Sequence, residues 1–205
     1  LKANIRVFQF LEQIIPGYHK LMEDKRYSCR HLGQVGDAHF TEAFCTVYNQ
    51  AWAVHQHFTP MKKERFEALL VKLKSIIDPE LFWVAYCAEQ PIGVYLMLRD
   101  LNPFLQRYND GSMPFWRKIL LKWWLLRGGC RRIYAMAFGI VPEFQHLGVG
   151  HLLMIASART IIPQRKYDTL EIAWIGDFNP RMQRLMSLLV TKQERTYTTF
   201  RYVFK

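Results

Sequence analysis

The stretch Phe138-Gly139-Ile140-Val141-Pro142-Glu143-Phe144-Gln145-His146-Leu147-Gly148-Val149-Gly150 decides how this chain is read. An apolar run, residues 132–141, ends at a proline, passes through a glycine-punctuated loop and enters an apolar helix at residues 150–162. Glycines at 148 and 150 let backbone approach a ligand closely, and the first N–H groups of a helix have no partner within it. Strand, loop and helix in that order make a cradle for an anion, and a diphosphate fits it.

Two better-known phosphate loops are excluded by spacing. A dinucleotide fingerprint needs G-x-G-x-x-G with an acidic residue on the next strand, and a triphosphate loop needs a Lys-Ser/Thr pair after its glycines. The chain has neither. Its 205 residues, half of them hydrophobic, suffice for one domain with a core and some decoration. Cys29, Cys45, Cys87 and Cys130 are scattered without a C-x-x-C pair or metal-spaced histidines, which predicts reduced thiols and no metal site. No apolar run reaches the roughly 20 residues of a membrane helix and no signal peptide is visible, so a soluble, cytoplasmic protein is expected. The net charge of +11 is spread over pairs such as Lys62-Lys63, Arg131-Arg132 and Arg165-Lys166 without a nucleic-acid motif. A basic surface that attracts a small anionic ligand accounts for the same charge.

Around the decisive stretch the pattern is mixed α/β. Residues 4–15 read as a helix ended by Pro16-Gly17, and residues 1–25 as an N-terminal helical appendage. Residues 27–32 read as a first strand, with Asp37 capping a helix to about His57. Residues 62–77 form a second helix burying Phe66, Leu69, Leu70, Leu73, Ile76 and Ile77. Residues 82–87 and 92–98 form a hairpin. After the cradle come a strand over 169–175, a helix starting at Asn179-Pro180 and a closing strand over 197–204.

The spacing Val/Ile-x-Pro-x-x-Gln-x-x-Gly-x-Gly resembles the acetyl-CoA signature of the GNAT superfamily of acyl-CoA-dependent N-acyltransferases, and the order of elements resembles that fold over residues 26–205. Tyr48-Asn49 with Trp52, Phe58-Thr59-Pro60, Glu171 with Trp174, and Asn179 with Met182 resemble an uncharacterised bacterial subgroup, in which a further region often precedes the transferase domain. The start at Leu1 therefore fits a C-terminal fragment. The resemblance implies a mixed central sheet with two splayed neighbouring strands, flanking helices and a helical insertion at about 101–130. It implies acetyl-CoA, or another acyl-CoA, as cosubstrate without a metal. Ile140 and Val141 would meet the pantetheine arm, and Gln145, His146, Leu147, Gly148, Val149 and Gly150 the diphosphate. Asn179 would either meet the pantetheine end or cap its helix, and Tyr48, Asn49 and Trp52 would line the acceptor side, with core packing the rival role for Tyr48 and Trp52.

An amine must lose its proton to attack a thioester, so a base is sought. Glu171, among Leu170, Ile172 and Trp174, is the candidate; strand alternation offers the rival that it faces water and pairs with Lys or Arg. The tyrosine that many members of the family carry in the helix after the second splayed strand is missing from residues 180–189, and either water or a tyrosine from elsewhere, such as Tyr134, would have to substitute. His146 and His151 read as cradle residues; with His55 and His57 they make no metal spacing. Residues 113–127, MPFWRKILLKWWLLR, place Phe115, Ile119, Trp123 and Leu126 on one helical face, to pack on the sheet or a partner chain, or to lie on an anionic membrane. The function expected is acyl transfer to an amine, with a small-molecule or peptide acceptor, no specific nucleic-acid partner and room for an oligomer. The alternatives are an acyl-CoA-binding protein without turnover and a basic nucleic-acid- or membrane-binding module on the same scaffold.

Overall fold

The computed structural model describes residues 2–4, 18–53, 58–108, 110–172, 175–176 and 179–187, with Thr196, Thr198 and Phe200. Its centre is a sheet of six strands in the order β1-β6-β5-β4-β3-β2: β1 (Lys2–Asn4), β2 (Tyr27–His31), β3 (Phe82–Cys87), β4 (Gln90–Arg99), β5 (Arg132–Ile140) and β6 (Thr169–Ile172). All neighbours are antiparallel except β5 and β6. This is the mixed α/β sheet the sequence predicted.

Two helices sandwich it. On one face lies α3 (Asp37–Ala51), preceded by the short α2 (Leu32–Val35), and α4 (Lys63–Leu73) packs on α3 through Phe44 and Phe66, whose stacked rings are 4.1 Å apart. α4 is shorter than expected and buries only Phe66 and Leu70, leaving Leu69 exposed. On the other face lies α7 (Val149–Ile161), apolar nearly all round. Such a helix needs cover on both sides. The sheet supplies one side, and α1 (Tyr18–Glu23) packs against α7.

The N-terminal region thus differs from the helical appendage expected. Lys2–Asn4 pair antiparallel with Thr169–Glu171 as an edge strand, and α1 covers α7. Apart from Asn4, the predicted helix at 4–15 lies outside the described residues. So do the closing strand at 197–204, apart from Thr198 and Phe200, and the side chain of Trp174.

The β3–β4 turn is the two-residue Ala88-Glu89, both with positive φ (47° and 66°), a twist that suits a tight hairpin. Between β4 and β5 the predicted insertion is helical: α5 (Asn102–Leu105) and α6 (Phe115–Leu126). Phe104 and Trp124 join the two, ring to ring at 5.6 Å, and Trp124 lies so close to Gly129 that an added Cβ would meet it at 2.2 Å. The last helix among the described residues, α8 (Pro180–Ser187), starts at the predicted Asn179-Pro180.

Candidate functional site

Two features of β5 prepare a site. Its pairing with β4 slips at Met136: Met97 faces Ala135 and Leu96 faces Ala137, so Met136 is left over as a bulge and is exposed. Its pairing with β6 runs only from Arg132 to Ala135, against Thr169 to Ile172. Beyond the bulge, among the described residues, β5 pairs with β4 alone as far as Ile140. Among the described residues, the edge turned toward β6 has no strand partner from Met136 onward, at the place where the family resemblance implies a splay.

Backbone alternation identifies which groups face that opening. Val141 donates its N–H to Ile92 O of β4 at 2.9 Å, so Val141, Gly139 and Ala137 turn their polar groups toward β4. Phe138 and Ile140 turn theirs the other way. Ile140 O already accepts from Gln145 Nε2 at 3.1 Å. Among the described residues, the N–H and C=O of Phe138 and the N–H of Ile140 have no partner on that edge. Val141, expected to serve the pantetheine arm, is committed to the sheet, and Phe138 is the residue whose backbone faces the same way as that of Ile140; strand alternation carries that signal, but it needs a register to fix its phase.

The cradle follows. A single 3-10 turn, Pro142–Phe144, leads out of the strand, Gln145 closes it with N–H to Pro142 O at 3.3 Å, and Gly148 caps α7 in the left-handed region at φ +84°. That conformation is cheap only for glycine. Leu152 donates the first intrahelical bond, to Gly148 O. The amides of Gly148, Val149, Gly150 and His151 find no acceptor among the described residues, and the helix dipole adds a favourable field for an anion at the same end.

Gly150 lets α7 sit close to β5: a Cβ there would lie 3.2 Å from Ile140 Cδ1 and 3.3 Å from Phe138 Cε1. Gly93 of β4, which the sequence reading passed over, does the same from the sheet side, with Leu153 and Val149 at 3.1 and 3.3 Å from its virtual Cβ. Gln145, His146 and Leu147 form the exposed lip of the loop. Burial holds the His151 imidazole below its usual range, so it is neutral at pH 7 and the attraction for an anion comes from amides.

The acceptor-side residues divide. Trp52 lies against the backbone of Gly139, where an added Cβ would be 2.1 Å from its ring, and Tyr48 stacks on Trp52 at 4.8 Å. This aromatic pair floors β5 beside the opening. Asn49 does something else: its amide donates to Met61 O at 3.1 Å and accepts from Met61 N at 2.8 Å, clamping the segment that enters α4. Both ends of the amide are engaged by one residue, Met61, so Asn49 has a role in the fold beside the acceptor contact expected of it, and one N–H and one oxygen lone pair remain.

Glu171 sits in register with Tyr134, one step before the last described pair of β5 and β6, Ala135 and Ile172. Leu170 and Ile172 are buried on the α7 face and Glu171 is half-buried on the other, 3.7 Å from Arg132 Nη1. The ion pair anticipated by alternation is present. Asn179 is the N-cap of α8, its Oδ1 accepting from Met182 N at 3.1 Å, and no described residue accepts from its amide nitrogen.

No protein-family model matches the chain. By structure it is similar to the aminoglycoside N-acetyltransferase AAC(6')-Iy, solved in complex with CoA (13% identity, TM-score 0.51, covering 86% of this chain and 94% of that one). It is also similar to the aminoglycoside acetyltransferase meta-AAC0020 from an uncultured soil metagenomic sample, in complex with sisomicin (14% identity, TM-score 0.53, 89% and 99%). The chain has the GNAT acetyltransferase fold. By sequence it is similar to Protein YghO of Escherichia coli K12, 24% identical over 191 residues, or 90% of this chain. It spans about half the length of that curated relative, 48%.

Proposed function

We propose that the chain transfers an acyl group from acyl-CoA to an amine. The observation that carries this reading is the set of four amides at the start of α7 without an acceptor among the described residues, placed beside the stretch of β5 that has no described partner on its β6 side. The diphosphate sits on Gly148, Val149, Gly150 and His151; the pantetheine amides pair with the Phe138 and Ile140 backbone as an added strand, and the Asn179 amide meets the far end of the arm. The thioester then lies near the Met136 bulge. The amine enters past Tyr48 and Trp52 and attacks the carbonyl carbon; the new N–C bond forms as the C–S bond breaks. Glu171 accepts the amine proton through water, and the Tyr134 hydroxyl supplies one to the leaving thiolate. The two named structural neighbours act on aminoglycosides; the acceptor here is read no more finely than an amine.

Calorimetry with acetyl-CoA tests the donor half. The unaltered chain is expected to bind in the micromolar range, and replacing Gly148 with Ala and Gly150 with Val to weaken binding by at least about tenfold, since one change strains the cap and the other lifts α7 off Ile140. Absence of binding to the unaltered chain sinks the reading. A panel of amines with thiol release as readout then separates turnover from binding alone, the second reading, which the absence of tyrosine from α8 favours.

A further inference from the structure

α6 exposes the face that should have been hidden. Leu121 is buried and Trp124 and Leu125 pack on the core, so the helix turns one apolar stripe inward. The stripe that the sequence marked for packing is on the outside: Phe115 and Leu126 are each 77% exposed, Ile119 54% and Trp123 53%, with Trp116 and Leu120 beside them. Six large apolar side chains on one short helix exceed the scattered exposure normal for a surface.

The charges around this face are of one sign. From Gly111 to Val141 there is no Asp or Glu, against Arg117, Lys118, Lys122, Arg127, Arg131 and Arg132. Arg117 is held by Asp110, Arg131 by Asp168, and Arg132 lies near Asp100 and Glu171. Lys118 and Lys122 along one edge and Arg127 at the other have no carboxylate partner among the described residues; the Arg127 guanidinium lies 3.9 Å from the Trp123 ring centre. A second copy of the chain meeting this face across a two-fold axis would set Lys118 and Lys122 against the same lysines with nothing to neutralise them. An anionic sheet of lipid headgroups neutralises all three and buries the apolar stripe at once.

We propose that α6 docks the protein on an anionic bilayer, its aromatic face entering the boundary between headgroups and acyl chains while Lys118, Lys122 and Arg127 meet lipid phosphates. Twelve residues span about 18 Å, short of the roughly 30 Å hydrocarbon layer, so the helix lies in the interface and does not cross it. Tryptophan settles at the headgroup level, and Phe and Leu beside it are the apolar side chains that interfacial helices bury. The inference stands apart from acyl transfer, because it uses no residue of the cradle or the open strand edge.

The test is co-sedimentation of the full 205-residue chain with vesicles of phosphatidylcholine alone or mixed equally with phosphatidylglycerol. Binding to the anionic vesicles is expected to be at least about tenfold tighter, and to fall at least about tenfold in two separate variants. One carries Phe115→Ser, Trp123→Ser and Leu126→Ser; the other carries Lys118→Glu and Lys122→Glu. Because these side chains face outward, both variants should keep the circular dichroism spectrum of the unaltered chain. Brominated lipids in anionic vesicles should also quench tryptophan fluorescence of the unaltered chain, a reading that needs no variant. The proposal is overturned by failure of the unaltered chain to bind anionic vesicles, by absence of quenching, or by a folded serine variant that still binds within about threefold, since bulk charge would then explain the binding. A dimer in sedimentation velocity that the serine variant dissolves assigns the face to a second copy and overturns it equally.

Discussion

Glu171, the candidate base, and Asn49, expected on the acceptor side, are placed differently by the fold. Glu171 keeps a carboxylate at the base of the open edge, braced by Arg132, while both ends of the Asn49 amide are tied to Met61. If Glu171 takes the amine proton, Glu171→Gln should lower kcat by about a hundredfold and leave KM for acyl-CoA within about threefold, because the donor is held by amides elsewhere. Steady-state kinetics with a competent amine measure the split; equal losses in both would assign Glu171 to binding or to the sheet. Three of the four thiols are held in the protonated form. Burial pushes Cys29 up to about 12 and raises Cys45 and Cys130, so these three stay protonated at neutral pH.

Among the elements, the β3–β4 hairpin shows how a tertiary demand overrides local preference. Strands as buried as β3 and β4 need the tight twisted turn, and Ala88 and Glu89 adopt left-handed backbone to provide it. Glu89 gains an ion pair with Arg30 there, and Ala88 donates its N–H to Arg26 O at 2.8 Å, a backbone bond that glycine would keep. Ala88→Gly is expected to stabilise the protein by about 0.5–1 kcal/mol, read as a higher urea midpoint with unchanged slope. An unchanged or lower midpoint would mean that the greater freedom of glycine in the unfolded chain cancels the relief of strain. The sequence marked the hairpin by its apolar runs but suggested a four-residue link, because no Asn-Gly or Asp-Gly announces a two-residue turn.

At the scale of the molecule, one buried ionic cluster ties distant parts of the chain. Asp78, before β3, accepts from Tyr167 Oη at 2.7 Å and from Arg99 Nη2 at 2.9 Å, and Arg99 Nε donates to Tyr167 Oη at 2.9 Å. Burial pushes the Asp78 carboxyl up, but the Tyr167 hydrogen bond and the Arg99 and Lys166 charges outweigh it and hold it below the usual range. A carboxyl with a lowered folded pKa stabilises above its unfolded value, near 4, and that stability is lost as pH falls through the folded value. Unfolding free energy should therefore drop below about pH 4, more steeply than in Asp78→Asn. Asp78→Ala should cost about 3 kcal/mol by stranding Arg99, measurable in urea at pH 7; a loss under 1 kcal/mol would show the cluster to be dispensable. The sequence could not announce this cluster, since Asp78, Arg99 and Tyr167 are brought together only by the sheet. The strand, loop and helix of the cradle were legible because neighbours in sequence build them: Pro142 ends the strand, Gly148 supplies positive φ and the helix start leaves amides bare. What tertiary structure alone decided was phase and facing, namely which β5 amides reach the open edge, that α1 covers α7, and that the aromatic stripe of α6 looks outward. Periodicity gives a helix its stripes and a strand its two faces, but only packing against other elements determines which of them is buried.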